Sequence, residues 1–361
     1  MENTIRQNSL RFSRSTSPKK SGTDKKKSSR TKEKQPGSKK RQKEGKRSVT
    51  EAKILIVATI GILSVAFLYR AAGCYLDLSG IPGVDSVELV NAPEKIGITN
   101  VHYLDVGQGD SILICGSQKN VLIDGGERNQ GNAVLADLKE YGIKTIDCII
   151  ATHPHSDHIG GLIDVLEYAA QYSDLTVKQV IVPEIPENDI PTTSVYEDFL
   201  NSVEENDLSL TYAEYEMTLE LGSGTMTLYP PVSGVDYSSL NDYSVCAHLQ
   251  CGDISFFFTG DMETESEYDR LEAGLLEGVH VNVLKAGHHG SGTASSMELL
   301  NQLNPDYAVI SCGTGNSYGH PHQEALERLN LFCDHIYRTD LDGTITCTTD
   351  GTNLAWTSRS D

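Results

Sequence analysis

The sequence predicts an α/β fold in which two sheets pack face to face with helices outside, an αββα sandwich. Three observations carry this. Short β-branched runs recur through residues 100–361, helical periodicity separates them, and the alternation runs twice, once in each half of that stretch. No short-period repeat of the solenoid kind is visible.

The 361 residues carry a formal net charge of -20, and that charge is divided sharply along the chain. Residues 1–53 hold 18 Lys and Arg against 5 Asp and Glu, whereas residues 71–361 hold 11 against 45. A basic arm therefore precedes a very acidic body. The arm, 1–52, has few aliphatic side chains beyond Ile5 and Leu10. It cannot bury enough apolar surface to offset the entropy of ordering and is predicted to be disordered.

Residues 53–73 are predicted to form one transmembrane helix. The run ILIVATIGILSVAFLY, Ile54 to Tyr69, has no charge and lies between Lys53 and Arg70. It is slightly short for a span, but both basic side chains can snorkel and residues 71–73 extend it. With the basic residues N-terminal to it, the arm is expected in the cytoplasm and the body outside the cell. A cleaved signal peptide would need a charged leader about 50 residues long. The A-A-G-C at Ala71 to Cys74 only faintly resembles a lipoprotein cleavage site, and Arg70 fits it poorly.

Residues 74–99 read as a linker rich in Gly, Pro and Asp. Beyond Cys74 the body holds seven cysteines, most in apolar strand-like runs such as Ile112 to Cys115, where free Cys acts as a small buried hydrophobe. The odd count and the absence of a CxxC pair argue against a disulfide framework and against a zinc-finger pattern.

In the body, strand patterns at 101–106, 111–115 and 120–124 form a meander, with a turn at 107–110. Helix over 131–141, strand over 146–152, helix over 162–172, strand over 177–182 and helix over 195–203 follow. The acidic segment 204–236 is more irregular, with a short strand at 225–229. A hairpin at 245–249 and 254–259 opens the second half. Helix 263–271, strand 281–285, helix 295–303, strand 307–311, helix 322–329 and two strands ending near 348 complete it.

The stretch from Thr152 to Gly161, T-H-P-H-S-D-H-I-G-G, sits where strand 146–152 ends. Three imidazoles and a carboxylate within six residues are unfavourable to gather in one loop unless a cation sits among them, and zinc-type ions prefer those donors. His153 and His155, two apart, can reach one ion, while Asp157 and His158 can turn toward a second. The plainer alternative is a polar surface loop.

His153-x-His155-x-Asp157-His158 followed by Gly160-Gly161 resembles the signature of the metallo-β-lactamase superfamily. Further segments narrow the resemblance: D-V-G-Q-G-D-S from Asp105 to Ser111, N-x-x-S-V from Asn241 to Val245, F-T-G-D from Phe258 to Asp261, L-K-A-G-H-H-G-S from Leu284 to Ser291, and Y-G-H-P-H from Tyr318 to His322. In this order, from about 100 to 351, they resemble the C-terminal hydrolase domain of the ComEC competence proteins. The multi-helix channel of those transporters has no counterpart in this sequence, which carries one apolar span.

The resemblance implies a dinuclear site for two divalent ions, zinc or manganese. His153 and His155 would hold the first, Asp157 and His158 the second, and Asp261 would bridge them. His288 is the expected further ligand of the second ion, with His289 as alternate or left to substrate and supporting work. The superfamily's usual additional histidine has no counterpart between Asn241 and Ser244, and His248 just beyond reads as structural. His320 and His322 would either supply the missing donor or protonate a leaving group. Asp124 would orient the metal loop, with Asp110, Asn241 and Ser244 as supporting residues. Lys285 offers either a phosphate contact or a structural charge. His102, His280 and His335 read as structural.

The implied function is phosphodiester hydrolysis, first of single-stranded DNA, with Asp157, His320, His322 and Lys285 as catalytic residues and a role in DNA uptake. Against DNA stands the acidity of the body, since nucleic-acid sites gain affinity from basic residues. A cell-surface phosphoesterase for small or wall-linked esters is the alternative with the same chemistry, and a non-catalytic surface binding module the alternative of another class. No protein partner is implied.

Overall fold

The computed structural model describes residues 97–359 and the backbone of one short antiparallel pair, Tyr75–Leu76 with Leu89–Val90. The predicted arm and the predicted span at 53–73 lie outside the described residues. Among the described residues no helix is long and apolar enough to cross a membrane.

In chain order the first half gives β1 Thr99–Tyr103, β2 Ile112–Cys115, β3 Asn120–Ile123, α1 Gly131–Glu140, β4 Cys148–Ile150, α2 Ser156–Gln171, β5 Val180–Val182, α3 Ser194–Glu205 and β6 Leu210–Tyr212. The second gives β7 Thr218–Glu220, β8 Thr225–Tyr229, β9 Cys246–Cys251, β10 Ile254–Phe258, α4 Thr264–Glu272, β11 Val283–Lys285, α5 Met297–Leu303, β12 Tyr307–Ile310, α6 Gln323–Leu329, β13 His335–Arg338, β14 Thr344–Thr349 and β15 Leu354–Arg359.

One sheet runs β6-β5-β4-β3-β2-β1-β14-β15 and the other β7-β8-β9-β10-β11-β12-β13. Each combines antiparallel pairs with a parallel run, β3 to β6 in the first and β10 to β13 in the second. The last strands return to the first sheet, with Cys347 opposite Val101 and Val101 in turn opposite Ile114.

Because side chains alternate across a strand, a strand covered on both faces must be apolar throughout. Ile112 and Ile114 enter the core between the sheets, against residues such as Leu249, Phe256 and Phe258, while Leu113 joins the opposite face with Leu122 and Ile149. That outer face is covered by α1, α2 and α3 through Val134, Leu162, Leu166 and Phe199. Leu284 and Ala308 of the second sheet pack likewise against Leu299, Leu300 and Leu329. The αββα layering expected from the two-fold alternation is present.

Helix α2 departs from the expected boundary, beginning at Ser156 rather than at 162. Gly160 and Gly161 look like a break in sequence, but their role is close approach. A Cβ on Gly161 would stand 1.9 Å from the Gly125 carbonyl oxygen, and one on Gly160 would stand 2.4 Å from the Arg128 nitrogen. The helix start is thereby pressed onto the loop after β3. Three strands also depart from expectation: β6 and β7, short, part-exposed edge strands inside the segment expected to be irregular, and β15, which follows the strands expected to end near 348.

Candidate metal centre

The site lies where parallel strands of both sheets end, the usual ligand position in open α/β sheets. β3 leads to Asp124, β4 to the segment 152–158, β10 to Asp261, and β11 to His288 and His289. Backbone bonds knit these loops together: Asp110 N donates to Asp157 O at 3.2 Å, Gly125 N to His158 O at 2.8 Å and Gly126 N to Asp110 O at 2.8 Å.

Asp261 Oδ2 is the centre of the cluster. It stands 3.2 Å from His158 Nε2, 3.2 Å from His289 Nε2, 3.8 Å from His288 Nε2 and 4.0 Å from His153 Nε2. His153 Nε2 lies 3.0 Å from His155 Nδ1. Asp157 Oδ2 adds a contact to His289 Nε2 at 3.2 Å. Asp157 and His158 sit on the first turn of α2, with His155 as the residue just before it.

Supporting groups set the ring orientations. Asp124 accepts from Thr152 N at 2.8 Å and Thr152 Oγ1 at 2.7 Å, and stands 2.8 Å from His158 Nδ1. His289 Nδ1 stands 3.0 Å from the Ser311 carbonyl oxygen, which can only accept, so the proton is on Nδ1 and Nε2 faces the cluster. Ser244 Oγ accepts from Asp261 N at 3.1 Å and lies 3.4 Å from His153 Nδ1. Asn241 Nδ2 reaches His288 at 3.4 Å.

Two expectations change on this geometry. The structure brings His289, rather than His288, into the buried cluster. Both residues adopt left-handed backbone, φ 46° and 54°, and their rings diverge at 69°. His288 turns outward, its Nδ1 3.2 Å from Glu263 Oε1. Lys285 offers no phosphate contact. It is buried with its Nζ 2.6 Å from Asp110 Oδ2 and also bonded to the Ala286 carbonyl. Asp110 stands 3.2 Å from His289 Nδ1 through Oδ1, in keeping with a supporting residue; its lysine partner leaves no signal in the sequence.

His320 and His322 part company. His320 is buried beside the cluster, its ring 5.4 Å from that of His288, and its Nδ1 has no partner. Burial, followed by His288 and His289, lowers its pKa to about 4. His322 has both ring nitrogens engaged with backbone: Nδ1 accepts from Gly292 N at 2.9 Å and Nε2 lies 3.2 Å from Tyr318 O. His102, stacked on Tyr141, and His248, on β9, are remote from the cluster.

The residues present fit a divalent cation. Asp110, His158, Asp261 and His289 each offer a ligand atom, all within 4.8 Å of one another and all buried. His158 Nε2, His289 Nε2 and Asp261 Oδ1 are buried without a hydrogen-bond partner, a state that costs about 1–3 kcal/mol per group. Burial opposes charge on His158 and His289, yet Asp261 and the neighbouring carboxylates hold both rings well above the ordinary imidazole range. Burial and His158 push His153 the other way, well below it. The carboxylates demand positive charge at this point, and an ion held by neutral imidazoles and carboxylates meets that demand.

A cavity of about 260 Å³ opens onto the cluster, lined among others by Gln108, His155, Asn241, His288, Tyr318 and His320. Among the described residues no Lys or Arg lines it. A larger cleft of about 730 Å³, bounded by Glu184, Glu214, Asp236 and Tyr243, has no histidine or cysteine lining among the described residues and does not include the cluster.

The family model described as the metallo-β-lactamase superfamily matches residues 104–170. The chain is 30% identical over 263 residues to ComE operon protein 3 of Bacillus subtilis (strain 168), a match covering 68% of this chain and 32% of that protein. It is 26% identical over 252 residues to Competence protein ComA of Neisseria gonorrhoeae, covering 67% and 31%. The chain thus spans about a third of the length of these curated relatives. Among solved structures, the metallo-β-lactamase fold protein YhfI from Bacillus subtilis aligns with a TM-score of 0.44 at 14% identity, covering 67% of this chain and 95% of that one.

Proposed function

Since the chain belongs to the metallo-β-lactamase superfamily and is ComEC-like in sequence, we propose that it is a membrane-anchored, extracellular, metal-dependent phosphodiesterase acting on single-stranded DNA. The observation that carries this reading is the convergence of three buried imidazole nitrogens, those of His153, His158 and His289, on Asp261 Oδ2 within 4.0 Å. A binding module without turnover has no need of such a cluster opening onto a cavity. The apolar run 54–69 supports the proposed place at the membrane, and the likeness to a protein named for competence is in keeping with the proposed part in DNA uptake.

His153, His155, Asp157, His158, Asp261 and His289 would hold two divalent ions, zinc or manganese. Bound there, such ions acidify water toward neutrality and offset charge on the attacked phosphoryl oxygens. The chain's own residues position and hydrogen-bond. Asp124 keeps His158 Nε2 directed at the cluster, and Asp110 with the Ser311 carbonyl does the same for His289. Asn241 and His320 line the cavity; Asn241 Nδ2 is the group available to a non-bridging phosphate oxygen or a leaving oxygen, whereas His320 Nδ1 is itself buried without a partner.

A second reading is favoured by the cavity lining. Among the described residues it has no Lys or Arg to follow a polyanion backbone, and a small phosphate ester would suffer less from the acidity of the body. One experiment separates the readings: the detergent-purified full chain, loaded with zinc or manganese, is offered single-stranded DNA, double-stranded DNA and bis(p-nitrophenyl) phosphate. Turnover of single-stranded DNA that is lost in Asp261→Ala supports the nuclease. Turnover of the small ester alone supports the esterase, and a folded chain binding no metal sinks both.

A further inference from the structure

We propose that Tyr318 is a stacking platform for a nucleotide base at the mouth of the metal cavity, so that planar contact rather than ion pairing carries recognition of the strand. The inference rests on the phosphodiesterase reading and supplies what that reading lacks, a source of affinity for DNA in a cavity that has no Lys or Arg lining among the described residues.

Tyr318 is 63% exposed, more than any other aromatic among the described residues, yet it lines the same cavity as Asp261 and His289. An isolated exposed tyrosine would need no explanation. This one is held in place. Asn316 Oδ1 accepts from Tyr318 N at 3.2 Å and from His320 N at 3.0 Å, while Asn316 Nδ2 donates to Gly313 O at 2.9 Å and His320 O at 2.6 Å. His322 Nε2 lies 3.2 Å from the Tyr318 carbonyl, and its Nδ1 ties the loop to Gly292. The left-handed Gly319, φ 77°, completes the tip.

The ring is oriented as well as anchored. It stacks on His320 with centroids 5.6 Å apart and planes 21° apart, which leaves its second face open. His320 in turn stands beside His288 and the cluster. A base laid on the open face would extend the Tyr318–His320 stack and bring its adjoining phosphodiester toward Asp261. Base stacking on an aromatic is sequence-tolerant, since every base has a π face, and alanine substitution at such platforms weakens binding about 5- to 150-fold per base. The Tyr318 ring is preorganised for this, because its loop is already bonded in place.

The test uses the full chain and two labelled single-stranded oligomers of equal length and charge, one of thymidylate and one wholly abasic. Binding is read by fluorescence anisotropy and turnover by product analysis. The wild type is expected to prefer the thymidylate oligomer by about 5- to 150-fold in Kd. In Tyr318→Ala that preference should collapse toward one, and Tyr318→Trp should keep it. Equal affinity of the wild type for both oligomers, or a preference that survives in Tyr318→Ala, overturns the platform. Base-dependent binding lost in Tyr318→Ala but without turnover would uphold the platform and reject only the hydrolase reading.

Discussion

Lys285 Nζ stands 2.6 Å from Asp110 Oδ2, with both side chains buried. The two residues lie in different halves of the body, Lys285 as the last residue of β11 and Asp110 two residues before β2. Asp110 also reaches the outer nitrogen of His289, so this ion pair braces a residue of the metal cluster.

Removing one partner of a buried pair leaves the other charge uncompensated, which costs about 3–5 kcal/mol. Lys285→Met is therefore expected to lower stability by that order in denaturant unfolding and to reduce bound metal. The double variant Lys285→Met with Asp110→Asn should recover part of the stability. A single variant as stable as the wild type would contradict the pairing.

Gly161→Ala is expected to destabilise strongly, because its Cβ would meet the Gly125 carbonyl oxygen at 1.9 Å. Overpacking ordinarily costs about 1–3 kcal/mol, and backbone on backbone leaves little room to relax. The measurement is thermal unfolding together with metal content, since the shift would displace the turn bearing Asp157 and His158.

Glu267 should make stability fall as pH rises through a defined window. Burial, opposed by hydrogen bonds from Ser296 and Ser295, raises its folded pKa from 4.5 to about 7. Below 4.5 the carboxyl is protonated in both states and has no effect. Between 4.5 and 7 the unfolded chain releases a proton that the folded chain keeps, so stability declines, by about 3 kcal/mol in all, and then levels off. Glu267→Gln should show a flatter profile across that window than the wild type in chemical denaturation, and parallel profiles would refute the raised pKa.

Protease added to intact cells should remove the acidic body and spare the basic arm if the proposed orientation holds. Epitope tags at the two ends, read by immunoblot, report which part survives. Loss of the arm with survival of the body would reverse the orientation.

Much of the architecture was legible in the sequence because strands covered on both faces are apolar nearly throughout, as 112–115 is and as 254–258 is apart from Ser255. The start of α2 was not, since Gly160 and Gly161 look like a helix break until the loop pressed against them is seen. Strand β6 escaped notice because Leu210 to Tyr212 is short and half exposed at a sheet edge. In the site, the HxHxDH run and Asp261 were readable from motif and spacing. The choice between His288 and His289 depends on two left-handed residues, and the bond of Lys285 to Asp110 on contact across the fold; neither leaves a local pattern.

The metal cluster draws His153, Asp157 and His158 from one sheet's loops and Asp261 and His289 from the other's. An ion seated there would act as a rivet through the seam between the two layers. Shearing one layer along the other would pull the ligands apart, so chelation should loosen the sandwich as a whole, and grip on the ion and resistance to sliding should rise and fall together.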